Sequence, residues 1–243
     1  MFSDGGSVMV KNSDRFIIAF NKIEKVLKTM VDKNDLGFSR LVKITSKYHP
    51  VLKRYRDDLL EFAQLRNAIV HNRVDFDYAI AEPHLSVVEQ IEWIEREITK
   101  PQLVYPMFKR KVYVFQESDP LSSLLYIIKT KDLSKFPIYQ GNQFIGVLSE
   151  KGLAHWLANQ MSHDFKSLSY TTVGEVMVFQ EPHTSGFIKK TATVYEAEDR
   201  FKSVIGKGKR IDALLITENG HANESLLGII TPRDIIDTAA NSQ

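Results

Sequence analysis

The chain has 243 residues, 43% hydrophobic and 26% charged, enough for two domains of ordinary size with real cores. It has no cysteine, which excludes disulfides, cysteine-ligated zinc, iron–sulfur clusters and thiol catalysis, and suits a reducing compartment. Its formal net charge of +2 predicts no general affinity for nucleic acid, no apolar run approaches the ~20 residues of a membrane span, and the opening MFSDGGSVMVKNSD does not read as a signal peptide, so a soluble cytoplasmic protein is expected.

Up to about residue 100 the apolar spacing is helical. Ser13 is placed to cap a first helix with Phe16, Ile17, Phe20, Ile23, Val26, Leu27 and Met30 along one stripe. Leu41, Val42 and Ile44 predict a shorter helix ending near His49-Pro50. Pro50 suits the first turn of a long helix that carries Leu52, Tyr55, Leu59, Phe62, Ala63, Ile69 and Val70 inward. A last helix has Leu85, Val88, Ile91, Ile94 and Ile98 on one side. Residues 1–100 thus read as an all-α bundle. Between Lys22 and Arg56 ten basic residues are opposed only by Glu24, Asp32 and Asp35, which is either a solvated helix face or a patch that attracts phosphates.

Pro101 ends this pattern, and short β-rich runs then alternate with helices. Phe136 to Tyr139, a turn at Gly141-Asn142, Phe144 to Ser149 and a helix with Leu153, Trp156 and Leu157 form one unit. Ala213 to Thr217, a turn at Asn219-Gly220, Leu226 to Thr231 and a helix through Ile235 and Ile236 form a second, with Gly146 and Gly228 equivalent and 82 residues apart. Each unit follows a candidate helix, Asp119 to Lys129 and Val194 to Ile205. Such copies bury their sheets only by packing together, so 101–243 is one module of two repeats, about 104–160 and 171–240. The fold class is α+β multidomain.

Val173-Gly174-Glu175-Val176-Met177 and Gly228-Ile229-Ile230-Thr231-Pro232-Arg233-Asp234-Ile235 carry a resemblance: residues 104–240 resemble a tandem pair of CBS domains, the Bateman module. The resemblance implies a regulatory site for an adenosine-containing nucleotide such as AMP or ATP, bound as a ligand and not as a cofactor. On chemistry alone, Thr231 offers a hydroxyl beside the free amides of a starting helix, a place that favours phosphate. Asp234 offers two carboxylate oxygens to vicinal ribose hydroxyls. Thr-Pro-Arg-Asp is equally a helix-capping sequence. The resemblance completes the site with Arg233 and, from the first repeat, Tyr113, Leu133 and Ser134. The other repeat has Ser149 for Thr231 but Gly152 for Asp234. Its site would borrow Ile211 and Asp212, an acid unwelcome near an anionic ligand. One competent and one vestigial site are expected.

In the helical half, Arg66-Asn67-Ala68-Ile69-Val70-His71 resembles the Arg-x4-6-His motif of HEPN domains, over about residues 11–100. The resemblance implies homodimerisation and, in many members, metal-independent cleavage of single-stranded RNA. At about 100° per residue the three polar residues share one side of the helix. His71 suits transfer of the ribose 2′-OH proton, Arg66 the charge growing on phosphate, and Asn67 the orientation of either. Three readings stay open: an endoribonuclease, a non-catalytic dimeric HEPN-like domain that binds partners, and an unrelated bundle whose Arg66 and His71 satisfy local acids and carbonyls. No histidine pair has metal-ligand spacing. The expected whole is an adenine-nucleotide sensor whose CBS pair controls the helical domain.

Overall fold

The structure, a computed structural model, describes residues 11–33, 35–71, 82–161 and 170–240. The chain divides into two compact units, Met1–Pro101 and Gln102–Gln243.

The first unit is helical: α1 (Asn12–Val31), α2 (Phe38–Thr45), α3 (Pro50–Arg54), α4 (Arg56–His71) and α5 (Leu85–Thr99). Phe16, Phe20, Ile23 and Leu27 of α1, Leu41 and Val42 of α2, Leu52 of α3, Leu59, Phe62 and Ile69 of α4, and Val88, Ile91, Ile94 and Ile98 of α5 are all buried. Phe20 stacks on Phe38 with centroids 4.1 Å apart, and Phe16 meets Phe62 edge-on at 5.6 Å. Arg15 forks onto Glu92, Nε to Oε1 at 2.9 Å and Nη2 to Oε2 at 2.8 Å, tying α1 to α5.

Three local expectations are corrected. Ser13 does not cap α1: it lies inside the first turn, and its amide donates to Glu82 Oε1 at 3.1 Å. A carboxylate from just before α5 thus satisfies a donor that a local cap would have taken. The helix from Pro50 is interrupted at Tyr55 (φ −101, ψ 21), whose ring sits edge-on against Trp93 at 5.3 Å. Met30 and Leu85, placed on buried stripes by spacing, lie at helix ends and are exposed.

The second unit holds two three-stranded sheets of identical topology. β1 (Phe115–Gln116), β2 (Lys135–Gln140) and β3 (Gln143–Ser149) stand in that order, as do β4 (Ser185–Lys189), β5 (Ala213–Thr217) and β6 (Gly228–Ile230). In each sheet the first pair is parallel and the second antiparallel, and Gly146 and Gly228 each oppose an isoleucine, Ile138 and Ile216. Pro137, which has no N–H to donate, sits one residue before β1 begins pairing at Ile138. The helices are α6 (Val104–Met107), α7 (Leu121–Lys131), α8 (Glu150–Gln160), α9 (Val173–Met177), α10 (Val194–Ile205) and α11 (Pro232–Ala240).

Each short leading helix packs into the other repeat. Val104 and Phe108 join the core of Phe201, Leu214, Ile216 and Ile230, whereas Val173 and Val176 join Leu124, Phe136, Ile138 and Trp156. Main-chain bonds repeat the exchange. The Val104 amide donates to Ala192 O at 2.8 Å and Val194 to Gln102 O at 2.9 Å; Leu121 donates to Thr171 O at 2.8 Å and Val173 to Asp119 O at 2.9 Å. The two glycines admit these crossings: a Cβ on Gly228 would strike the Phe108 carbonyl oxygen, and one on Gly146 would lie 2.9 Å from Met177 Cε. The sheets share a third cluster, Val147, Ala213, Leu215 and Ile229, flanked by Phe144 and Phe187 with rings 4.9 Å apart. The repeats therefore form one body, as mutual burial requires.

Candidate functional site

Thr231 joins β6 to α11, and Asp234 stands in the first turn of that helix. Asp234 Oδ2 accepts three hydrogen bonds: from the Thr231 amide at 2.6 Å, from the Thr231 hydroxyl at 2.7 Å and from Arg110 Nη2 at 2.6 Å. Arg110 also donates to the Ile229 carbonyl, through Nε at 2.8 Å and through Nη2. Burial alone would raise the Asp234 carboxyl. Donation from Arg110, then from the Thr231 amide and hydroxyl, outweighs it and holds the group below the usual carboxylate range. Half of the capping box is present. The Thr231 amide donates to the Asp234 carboxylate, but the Thr231 hydroxyl donates to that carboxylate too instead of accepting from the Asp234 amide, which bonds the Thr231 carbonyl at 3.1 Å.

The other expected contacts are dispersed. Arg233 turns outward, its side chain 89% exposed and 3.7 Å from Asp237. Tyr113 and Leu133 pack against the first repeat's core. The Tyr113 ring carries the Lys111 ammonium at 4.9 Å and lines an open cavity of about 500 Å³ with Phe115, Ser123 and Tyr126. Ser134 is half-buried, and its carbonyl accepts from Lys135 Nζ at 3.4 Å. Direct bonds thus join Thr231 and Asp234, together with Arg110, which sequence reasoning missed. Its partner lies 124 residues away, and the segment reaches it through the packing of Val104 and Phe108 and the bridge between Lys109 and Gly228.

At the equivalent place in the other repeat, Ser149 caps α8, its Oγ accepting from the Gly152 amide at 3.4 Å. The missing carboxylate is replaced by an amide. Gln180 Oε1 accepts from the Ser149 amide at 2.9 Å and from its hydroxyl at 2.8 Å. A Cβ on Gly152 would lie 2.6 Å from that oxygen, so Gln180 occupies the space beside the helix start. Gln180 Nε2 continues to Thr184 Oγ1 at 3.2 Å. Asp212 is 6% exposed: Oδ1 accepts from Arg210 Nε at 2.7 Å, and Oδ2 is buried without a hydrogen-bond partner among the described residues. Arg110 and Gln180 are themselves equivalent, each three residues after the methionine that ends α6 or α9. Aligning Met107 with Met177 is the signal that would have paired them.

In the helical unit Arg66 and Asn67 are adjacent on α4, Arg66 Nη1 donating to Asn67 Oδ1 at 3.4 Å. Both line a cavity of about 500 Å³ with Glu24 of α1 and Gly37, Ser39 and Arg40 at the start of α2. His71 closes α4, but its side chain lies outside the described residues. Of the basic run, Lys22 pairs with Glu95 at 3.5 Å and Lys28 with Glu24 at 3.3 Å, whereas Lys25, Arg40, Lys43 and Lys47 are exposed. Among the described residues no cluster of three or more His, Asp or Glu could hold a metal ion, and no helix is long and apolar enough to cross a membrane.

The CBS domain family matches residues 104–159 and 173–241, each sheet with its flanking helices. The chain belongs to the CBS-domain family, and its second unit is a CBS pair. The helical unit lies outside both matched ranges. Among solved structures, the second unit is similar to the CBS domain pair of protein MJ0100 in complex with 5′-methylthioadenosine and S-adenosyl-L-methionine, with 12% identity over 59% of this chain and 99% of that one and a TM-score of 0.42. It is also similar to CBSX2 in complex with AMP (16%, 58% and 98%, 0.41) and to a CBS domain-containing protein from Kribbella flavida DSM 17836 (12%, 54% and 94%, 0.41). No curated protein matches the chain.

Proposed function

We propose that this protein is an adenine-nucleotide sensor: one nucleotide such as AMP or ATP binds where β6 meets α11 and sets the state of a dimeric, HEPN-like helical unit. The observation that carries this reading is the Asp234 carboxylate, kept ionised beside the Thr231 hydroxyl at the start of α11. A carboxylate there suits two ribose hydroxyls, and a helix start suits the phosphate that follows them. The same place by Ser149 holds the neutral side chain of Gln180, which supports a single competent site. Asp234→Ala is expected to weaken AMP or ATP binding at least ten- to a hundredfold, since hydrogen bonds to a charged group are worth about 1.5–3 kcal/mol each. Calorimetry decides it, and two equivalent sites per chain would refute the assignment.

A second reading, that the helical unit is a metal-independent endoribonuclease, has one observation in its favour: Arg66 and Asn67 share their cavity with Arg40, two guanidiniums where a phosphate could sit. In this reading Arg66 stabilises charge on phosphate, Asn67 orients it and His71 moves the 2′-OH proton. The dimer, incubated with single-stranded RNA, EDTA and each nucleotide, should release 2′,3′-cyclic phosphate ends that are lost in Arg66→Ala and His71→Ala. Uncut RNA under every nucleotide leaves the sensor with a binding output alone.

A further inference from the structure

We infer that Arg110 selects the ligand: it closes Asp234 in the free protein, and a 5′-phosphate is the group that opens it. This rests on the nucleotide reading above. Asp234 Oδ2 already receives the Thr231 amide, the Thr231 hydroxyl and Arg110 Nη2. One carboxylate oxygen has two lone pairs, so Oδ2 is saturated, and a ribose presenting two vicinal hydroxyls finds only Oδ1 open. A grip with one ribose hydroxyl on each carboxylate oxygen follows only when Arg110 withdraws and the rotatable Thr231 hydroxyl turns to another acceptor, which frees one lone pair of Oδ2.

The guanidinium that withdraws does not leave the site. It is also tied to the Ile229 carbonyl through Nε at 2.8 Å, so it pivots beside the start of α11. Its charge then favours another anion, because withdrawing costs the guanidinium, whose side chain is 38% exposed, a charge-assisted hydrogen bond. A phosphate on the ribose supplies that anion at the helix start, in the bidentate geometry an arginine prefers. Adenosine offers the same base and the same two hydroxyls but no replacement for the carboxylate. The site therefore discriminates on phosphate through a residue that, when the site is empty, contacts the Asp234 carboxylate meant for the ribose. The neutral Gln180 at the equivalent position has no charge to exchange and confers no such selection.

The test is calorimetry on the full chain with AMP and with adenosine, for the natural protein and for Arg110→Gln. The natural protein is expected to favour AMP by at least about tenfold, the effect of one charge-assisted bond. In Arg110→Gln the closing contact is gone, so adenosine should bind more tightly than to the natural protein. AMP should lose affinity, and the AMP-to-adenosine ratio should fall about tenfold or more. An unchanged ratio, or weaker adenosine binding in the variant, overturns the inference while AMP binding keeps the nucleotide reading. Should Arg110→Gln fail to fold, the natural protein suffices: adenosine within about twofold of AMP overturns it. If neither ligand binds the natural protein, the nucleotide reading falls and this inference with it.

Discussion

Glu224 closes the turn between β5 and β6. Its Oε2 accepts from the Asn219 amide at 2.7 Å and the His221 amide at 3.3 Å, and its Oε1 from Asn219 Nδ2 at 2.7 Å. Bonds to the charged form, the Asn219 amide first, pull this carboxyl down to about 2. A folded pKa below the unfolded one of about 4.5 means that the ionised side chain stabilises the fold fully above that value, and that this contribution fades as pH falls towards about 2. Glu224→Gln should therefore lower stability at neutral pH and make the decline between those values shallower, as read by urea melts along a pH series. Identical slopes would show that the turn does not carry this charge. At the same scale the sequence was partly legible. Thr231 and Asp234 stand out because strand, Thr-Pro and acid are contiguous, and the contacts between them are local. Arg110 and Gln180 do not, because each meets its partner only after the fold brings distant segments together.

Single elements show where periodicity informs and where it fails. The strands β2, β3 and β5 and the helix α10 are visible as apolar runs bounded by turn residues, and Val194–Ile205 coincides with its expected span. β1, two residues long, and α6 and α9, four and five residues long, are too short for any period to register. Those short helices nevertheless decide how the repeats interlock. Gly228 tests this directly, since an added Cβ there meets main chain at Phe108, which cannot swing aside as Met177 can at Gly146. Gly228→Ala should cost about 1–3 kcal/mol, the usual range for overpacking a filled core, and should shift the chemical shifts of Phe108 to Arg110. Because Arg110 is three residues past Met107 and reaches Ile229 and Asp234, nucleotide affinity should change too. A variant with native stability would mean that the crossing of α6 over β6 is looser than its geometry.

At the scale of the whole molecule, a sensor requires that ligand energy at one unit change the populations of the other. Nucleotide at 100 times its dissociation constant stabilises the liganded state by about 2.7 kcal/mol, and it shifts the helical unit only through differential affinity for two states. Within the CBS pair the transmission starts from a concrete element. Arg110 lies just after α6, and α6 just after Gln102, where the second unit begins. On the proposed reading, displacing Arg110 would act on a segment that follows α5 in the chain. Hydrogen exchange on the full chain should show AMP protecting β6 and the start of α11, with a second change in the amides of α1, α4 or α5. Asp234→Ala should abolish both responses together. Arg110→Gln should keep the local protection but reduce the distant change, since there the closing contact is already absent before ligand arrives. Protection confined to 102–240 in the natural protein would refute control of the helical unit, leaving a CBS pair that binds nucleotide without reporting it.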